Sequence, residues 1–283
     1  MLTSSYLSFK SLKQSPWALL HIMILGLIFC LCFIGPFFYS QDYHSQNLLM
    51  GAQGPSWEHW FGTDLLGRDV LARLLYGGRI SIYISGAASL IAISIGVIIG
   101  SIAGYVGGNT DRLLMRFVDI LYPLPFTLLI ILVMALAGRY LFMLILTLGC
   151  VRWLTMARII RNQVLALKTS TFVQCSICMG QTSLKIWLKH IFPNLISLIL
   201  VYGTLLIPNI MLEEAFISFL GLGVQPPLSS WGALILDGAR SMEDYPWLLI
   251  FPCLFFCLTL FSLNFLGDCL RDKLDPLSSE NQR

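Results

Sequence analysis

Ile80–Gly104 reads ISIYISGAASLIAISIGVIIGSIAG, an apolar run without one charged side chain. A helix of roughly 20 apolar residues crosses the hydrocarbon core of a bilayer, so this run is long enough to span it. Inside it Gly96, Gly100 and Gly104 recur every four residues. That spacing sets them on one helical face, where a neighbouring backbone can approach closely; it is a packing signal and not a chemical one. Outward from this run lie five more. Trp17–Tyr39 has only His21 as a titratable group, and Ile120–Gly138 reads back to Phe117 across Asp119. Tyr140–Ala157 is interrupted by Arg152, which stands near enough to one end to snorkel to the interface. Leu195–Leu212 runs up to Glu213, and Tyr245–Gly267 is free of charge. The expectation is an all-α polytopic membrane protein with six transmembrane helices, near 17–39, 80–104, 117–138, 140–157, 195–213 and 245–267.

Composition agrees. Only 12% of residues are charged and 57% are hydrophobic, whereas soluble domains carry about 25% charged residues to cover their surface. The net charge of +3 and the absence of a basic stripe exclude a nucleic-acid partner. The basic residues set the orientation instead. With the N-terminus inside, 13 of the 18 Lys and Arg fall on the inner side: Lys10, Lys13, Arg112, Arg116, Arg152, Arg158, Arg161, Lys168, Lys185, Lys189, Arg271, Lys273 and Arg283. Arg68, Arg73, Arg79, Arg139 and Arg240 remain outside. Both termini are therefore expected in the cytoplasm. The first apolar run exceeds the roughly 7–15 residues of a signal-peptide core and lacks a small-x-small cleavage site, so it is read as a retained helix. The eight cysteines avoid both long outside loops, which argues against a disulfide framework. Cys175-Ser-Ile-Cys178 is a lone CxxC, weak as a metal or redox signal.

Residues 1–79 are read as an N-terminal tail, the first helix and an outside loop, and residues 80–283 as the transporting unit with a short cytoplasmic tail. The segments between spans are too short for a soluble domain. Between the fourth and fifth spans, Thr169, Ser170 or Thr171 can cap a short helix with Phe172, Cys175 and Met179 on one face. Gly180 then tolerates the positive φ of a sharp turn. A second short helix carries Leu184, Trp187, Leu188 and Ile191 as an amphipathic stripe, and Pro193 ends it or opens the next span. The element suits either a lever for a cytoplasmic partner or a helix lying on lipid.

At this segment the chain resembles the permeases of bacterial ABC importers. Their signature is Glu-Ala-Ala, three residues, Gly, about ten residues and Ile-x-Leu-Pro. Here Gln174-Cys175-Ser176 stands at the first position, Gly180 at the glycine and Ile191-Phe192-Pro193-Asn194 at the end. Phe61-Gly62-Thr63-Asp64-Leu65-Leu66-Gly67-Arg68-Asp69-Val70 is similar to the first outside loop of the C-type subunit in the dipeptide/oligopeptide/nickel branch. Asp111–Asp119, Ser218–Pro227 and Asn264–Pro276 extend that likeness in order along residues 15–276. The resemblance implies a heteromeric importer in the bacterial inner membrane, with a second permease, two cytoplasmic ATPases and an external substrate-binding protein. Peptide would be the cargo, with nickel as the alternative. It also implies that Phe172, Val173, Gln174, Cys175, Ser176, Gly180, Ile191 and Pro193 form the coupling helix and its frame, and that Gly62, Asp64, Gly67, Arg68 and Asp69 mark the outside loop. No GxxxxGK[ST] phosphate loop is present, so ATP and Mg²⁺ would be used by partner subunits and no cofactor by this chain. The missing carboxylate at Gln174 predicts weaker but retained coupling, because charge-assisted bonds are the stronger ones.

Other residues carry blander expectations. Asp119 lies three residues after Arg116 and is expected to pair with it locally. Glu213 and Glu214 are placed at the outer interface, solvated. Asp64, Arg68 and Asp69 are expected to stabilise their loop, and Pro123, Pro125 and Pro208 to kink their helices. His21, His44, His59 and His190 are scattered, with no HExxH. A proton-coupled secondary transporter would need ionisable groups deep in its spans and internal repeats, and a membrane enzyme would need a convergent catalytic cluster. Neither is legible.

Overall fold

The computed structural model describes residues 16–39 and 41–274. Helix α1 (Pro16–Phe33) and the single turn α2 (Gly35–Phe38) lead into an extended loop. After the loop come α3 (Val70–Val106), α4 (Gly108–Leu121), α5 (Phe126–Ala137) and α6 (Leu141–Lys168). Two short helices follow, α7 (Thr171–Cys178) and α8 (Ser183–Ile186), and a π-helical turn over Trp187–Ile191 joins α8 to α9 (Phe192–Phe219). α10 (Trp231–Arg240) and α11 (Trp247–Leu274) complete the described chain. Five continuous helical stretches are long and apolar enough to cross a membrane, and a sixth crossing is made if α4 and α5 count as one bent span. The end of the bundle where α1 begins and α11 ends is called the near end below, and the opposite end the far end.

The bundle is organised on α3 and α6, which run side by side in the same direction. A Cβ added at Gly96 would lie 2.6 Å from Met156 Cβ, one at Gly100 2.5 Å from the Ala157 carbonyl oxygen, and one at Gly104 2.8 Å from the Arg161 carbonyl oxygen. Gly149 of α6 returns the contact against Ile91. Lipid is as apolar as leucine, so helices gain little from hiding apolar surface from each other; close packing and hydrogen bonds hold them together. α9 crosses this pair in the opposite sense, burying Ile210 and Ile217 with Ile84, Ala88, Leu144 and Leu148. The outward faces keep large apolar residues such as Leu90, Ile98, Leu132 and Phe261 exposed, as lipid allows.

Every span departs from the sequence reading at one boundary or more. The first helix ends at Phe33 ahead of Tyr39, the second begins at Val70 ahead of Ile80, so the division placed at 79/80 falls inside a helix, and the last runs on to Leu274 past Gly267. The third span is broken, with α4 and α5 meeting at 80° across Tyr122–Pro125. Pro123 and Pro125 lack the N–H groups a helix needs there, so the pair ends one helix where a kink had been expected. The fourth helix does not stop near Ala157; it continues to Lys168. The fifth carries Glu213 and Glu214 inside it, ending only at Phe219.

The α3–α6 contact predicts a sharp size limit. Gly100→Leu should destabilise the detergent-solubilised chain by about 1–3 kcal/mol through overpacking. Gly86→Ala, where an added Cβ meets nothing within 4 Å, should leave it unchanged. Thermal unfolding followed by fluorescence-detected size exclusion distinguishes the two.

Candidate functional site

At the near end α7 and α8 form a hairpin hung beneath the bundle. α7 begins at Ser170, whose backbone is extended as an N-cap requires although its side chain makes no capping bond. Gly180 sits at φ +71°, a left-handed conformation that turns the chain between the two helices. The hairpin is rooted by Val173, Ile186 and Ile191, all fully or nearly buried against Ile160, Val164 and Leu195. Ser176 is buried too, and its hydroxyl donates to the Phe172 carbonyl at 2.9 Å. Of the eight residues assigned to this element from sequence, Val173, Ser176 and Ile191 therefore face the bundle. Phe172, Gln174, Cys175, Gly180 and Pro193 face outward.

The expected stripe of Leu184, Trp187, Leu188 and Ile191 is not one face. Leu184 is 69% exposed and Leu188 is also exposed, whereas Ile186 and Ile191 are buried. The π-helical turn at Trp187–Ile191 inserts an extra residue per turn and rotates the register, which a 3.6-residue period cannot foresee. Leu184 and Leu188, together with Phe172, Ile177 and Met179 from the α7 side, are presented to the outside of the hairpin. Gln174 does not project freely: its amide donates to the Lys168 carbonyl at 2.8 Å, closing the end of α6. A carboxylate at this position could not make that bond, because it has no proton to give.

Between the ends, acidic and basic groups meet inside the helices. Arg152 Nε donates to Glu213 at 2.8 Å, and a second guanidinium nitrogen makes the pair bidentate. This corrects both expectations: Arg152 does not snorkel and Glu213 is not solvated. Glu214 is 0% exposed. Its carboxyl takes hydrogen bonds from Ser81 (3.1 Å) and Ser218 (2.7 Å), and Ser81 Oγ also accepts the Trp231 backbone N–H at 3.1 Å. One carboxyl thus ties α9, α3 and α10 together. Asp119 pairs with Arg158 of α6 at 2.6 Å, not with Arg116, and Asp111 accepts from Arg161 Nε at 2.7 Å. The signal available in the sequence was a lone Arg and a Glu pair of opposite sign in two apolar runs, where each needs a partner.

The far end holds the 62–69 loop. Asp64 accepts backbone N–H bonds from Leu66 and Arg68, both at 2.9 Å, and side-chain bonds from Arg68 Nε (2.7 Å) and Arg73 Nη1 (2.6 Å). Asp69 caps α3 through Ala72 N at 2.7 Å, while its second oxygen lies 3.0 Å from the Tyr39 hydroxyl and 2.8 Å from His59 Nδ1. Gly62 and Gly67 occupy positive φ, 79° and 69°, and Asn47 and Gln53 carbonyls press on them. These five residues build a loop and a helix start.

The fold is that of a membrane-embedded transport subunit. Residues 96–279 match the family model described as binding-protein-dependent transport system inner membrane component. The chain belongs to that family. It is 48% identical, over 92% of its length and 84% of the relative's, to the oligopeptide transport system permease protein OppC of Haemophilus influenzae. Against the dipeptide transport system permease protein DppC of Bacillus subtilis it is 42% identical, over 95% of the chain and 84% of the relative. A solved structure of the inward-facing MetNI methionine ABC transporter shares the fold, with TM-score 0.59 and 17% identity over 72% of this chain and 97% of that one.

A double-mutant cycle tests the mid-span pair. Arg152→Ala and Glu213→Ala should each cost about 3–5 kcal/mol by leaving the other charge unpaired. The double variant should recover most of that loss, giving a large coupling energy in thermal or denaturant unfolding.

Proposed function

We propose that this chain is one of two permease subunits of an ABC importer for oligopeptides or dipeptides, driven through its near-end hairpin by separate ATPase subunits. The near end is the cytoplasmic one, in keeping with the 13-to-5 distribution of Lys and Arg across the spans. ATP and Mg²⁺ are handled by two ATPase partners, and the peptide is delivered to the far end by an external binding protein. The likeness to oligopeptide and dipeptide transport permeases supports peptide as cargo.

The observation that carries the coupling role is the two-sided hairpin. Its inner side is locked to α6 and α9 by Val173, Ile186 and Ile191, so a force on it reaches both long helices. Its outer side offers Phe172, Met179, Leu184 and Leu188 to water at the bundle's end. A clustered apolar face of that kind calls for a protein partner. The loss of the family's carboxylate at Gln174 fits the same arrangement: the amide secures the α6–α7 joint from within the chain, and apolar side chains are left to grip the partner.

Co-expression with the partner permease, ATPases and binding protein provides the test. Met179→Asp and Leu184→Asp should leave the permease folded in detergent but lower ATPase co-purification and peptide uptake at least about tenfold, because a carboxylate buried in the docked interface would go unpaired. Normal recovery and uptake with both variants would overturn the coupling assignment. Gln174→Glu should remove one exposed hydrogen bond, worth about 0.5–1.5 kcal/mol, and loosen the α6–α7 joint measurably by hydrogen exchange at Lys168–Val173.

A further inference from the structure

A concavity of about 410 Å³ opens at the far end between α10, the loop before it and the start of α6. Its polar wall is dominated by donors. Arg73, Arg139 and Arg240 line it, with Asp237 as the one carboxylate among them. Arg73 is buried and already divided, giving Nη1 to Asp64 at 2.6 Å and Nη2 to Asp237 at 3.2 Å. Arg139 spends one N–H on the Gly221 carbonyl at 3.1 Å. The Gln225 amide donates to the Gly223 carbonyl at 3.1 Å and to the Gly221 carbonyl at 3.5 Å, so that side chain stiffens the rim with both of its donors committed. Arg240 is exposed and, among the described residues, its side chain makes no hydrogen bond or ion pair.

Two observations point to a ligand and to its sign. The first is charge. Three guanidinium groups face one carboxylate, and the Asp64 that also holds Arg73 is engaged below by Arg68. The C-terminal end of α10 favours a cation at Arg240; it does not explain why Arg139 should be gathered to the same hollow. The second is a set of spare donors: the Arg240 guanidinium lines the hollow without a partner among the described residues, and Arg139 has committed one N–H only. The Ser229 hydroxyl also lacks a partner, but it is shielded from the hollow and lies towards Gly77, so it is not one of these donors. A hollow with spare guanidinium donors is complementary to an acceptor-only anion. Planar guanidinium groups fit a carboxylate through paired N–H bonds. The volume suits one or two residues of a ligand and no more.

We infer that this cavity is a carboxylate-binding subsite that receives the C-terminal carboxylate of an incoming peptide at the far end of the permease. The inference rests on the peptide reading above. Arg240 and Arg139 take the carboxylate oxygens, and Asp237 holds Arg73 back from competing for the ligand. The same carboxylate chemistry could be supplied by an acidic side chain of the binding protein, and the experiment separates the two sources.

The complete importer is reconstituted in proteoliposomes with its binding protein. Uptake is compared for one peptide with a free C-terminal carboxylate and for its C-terminal amide, in wild type, Arg139→Gln and Arg240→Gln. Docking of the ligand-free binding protein to the same complexes in nanodiscs is measured in parallel. The Arg variants should lose about tenfold in uptake of the free acid, while amide uptake and ligand-free docking stay at wild-type level. Equal loss for acid and amide, or no loss for either, would overturn the subsite. So would weakened docking of the ligand-free binding protein, which would assign the carboxylate to that protein. A wild-type complex that assembles and hydrolyses ATP but imports neither peptide would instead bring down the peptide reading itself, and the subsite with it. Basal ATPase activity in every variant confirms that the complex has assembled.

Discussion

The bundle depends on the close approach of two backbones, α3 and α6, permitted by Gly96, Gly100 and Gly104 on one side and Gly149 on the other. In water, burying apolar side chains would hold such helices together without help. In lipid that driving force is nearly absent between spans, and association rests on dispersion contacts at short range and on hydrogen bonds. Side chains larger than hydrogen at these positions would push the helices apart and weaken every contact along their length. The remaining spans are arranged on this pair: α9 crosses it, α11 and α1 close the outside, and the bent α4–α5 pair returns the chain to the start of α6.

Onto that seam the chain adds a small number of polar ties, each joining helices distant in sequence. Arg152 binds Glu213 between α6 and α9; Glu214 gathers Ser81 of α3, Ser218 of its own helix and, through Ser81, the start of α10. Trp231 adds a bond from its indole N–H to the Leu74 carbonyl at 2.9 Å. In a low dielectric these bonds are strong when complete and costly when broken. They therefore fix which face of α9 meets α3 and α6, a choice that apolar packing alone would leave loosely specified.

Much of this was legible in the sequence and some of it was not, for physical reasons. The apolar runs revealed the crossing helices, because length and lack of charge are direct consequences of the bilayer's thickness. The ordered motifs between them revealed the family. Helix ends were misjudged wherever a charge was taken as a boundary. Glu213 and Glu214 look like an interface in a linear reading, yet their partners Arg152 and Ser81 lie 61 and 133 residues away. Asp119 was likewise matched to its sequence neighbour Arg116, while the fold brings Arg158 nearer. The α7 face of Phe172, Cys175 and Met179 followed from helical spacing and is exposed, but the faces of the second half of the hairpin were hidden by the π-helical turn, since one extra residue in a turn changes which side chains share a face. The far-end cavity was the least legible feature, because Arg73, Arg139 and Arg240 come from three separate segments.

These elements make α9 the physical link between the two ends. It leaves the near-end hairpin at Ile191 and Pro193, carries Glu213 and Glu214 through the middle, and finishes at Phe219, next to the loop that walls the far-end cavity. Its contacts with α6 and α3 there are ion pairs and hydrogen bonds with defined partners, so a tilt imposed at the hairpin cannot be absorbed by gradual sliding. The polar ties must be carried along or exchanged as a set. A helix gripped at one end by an apolar lever and along its middle by discrete bonds favours a few distinct positions over a continuum. That is the property the proposed transport role would require, and here it follows from the placement of two adjacent glutamates in an otherwise apolar span.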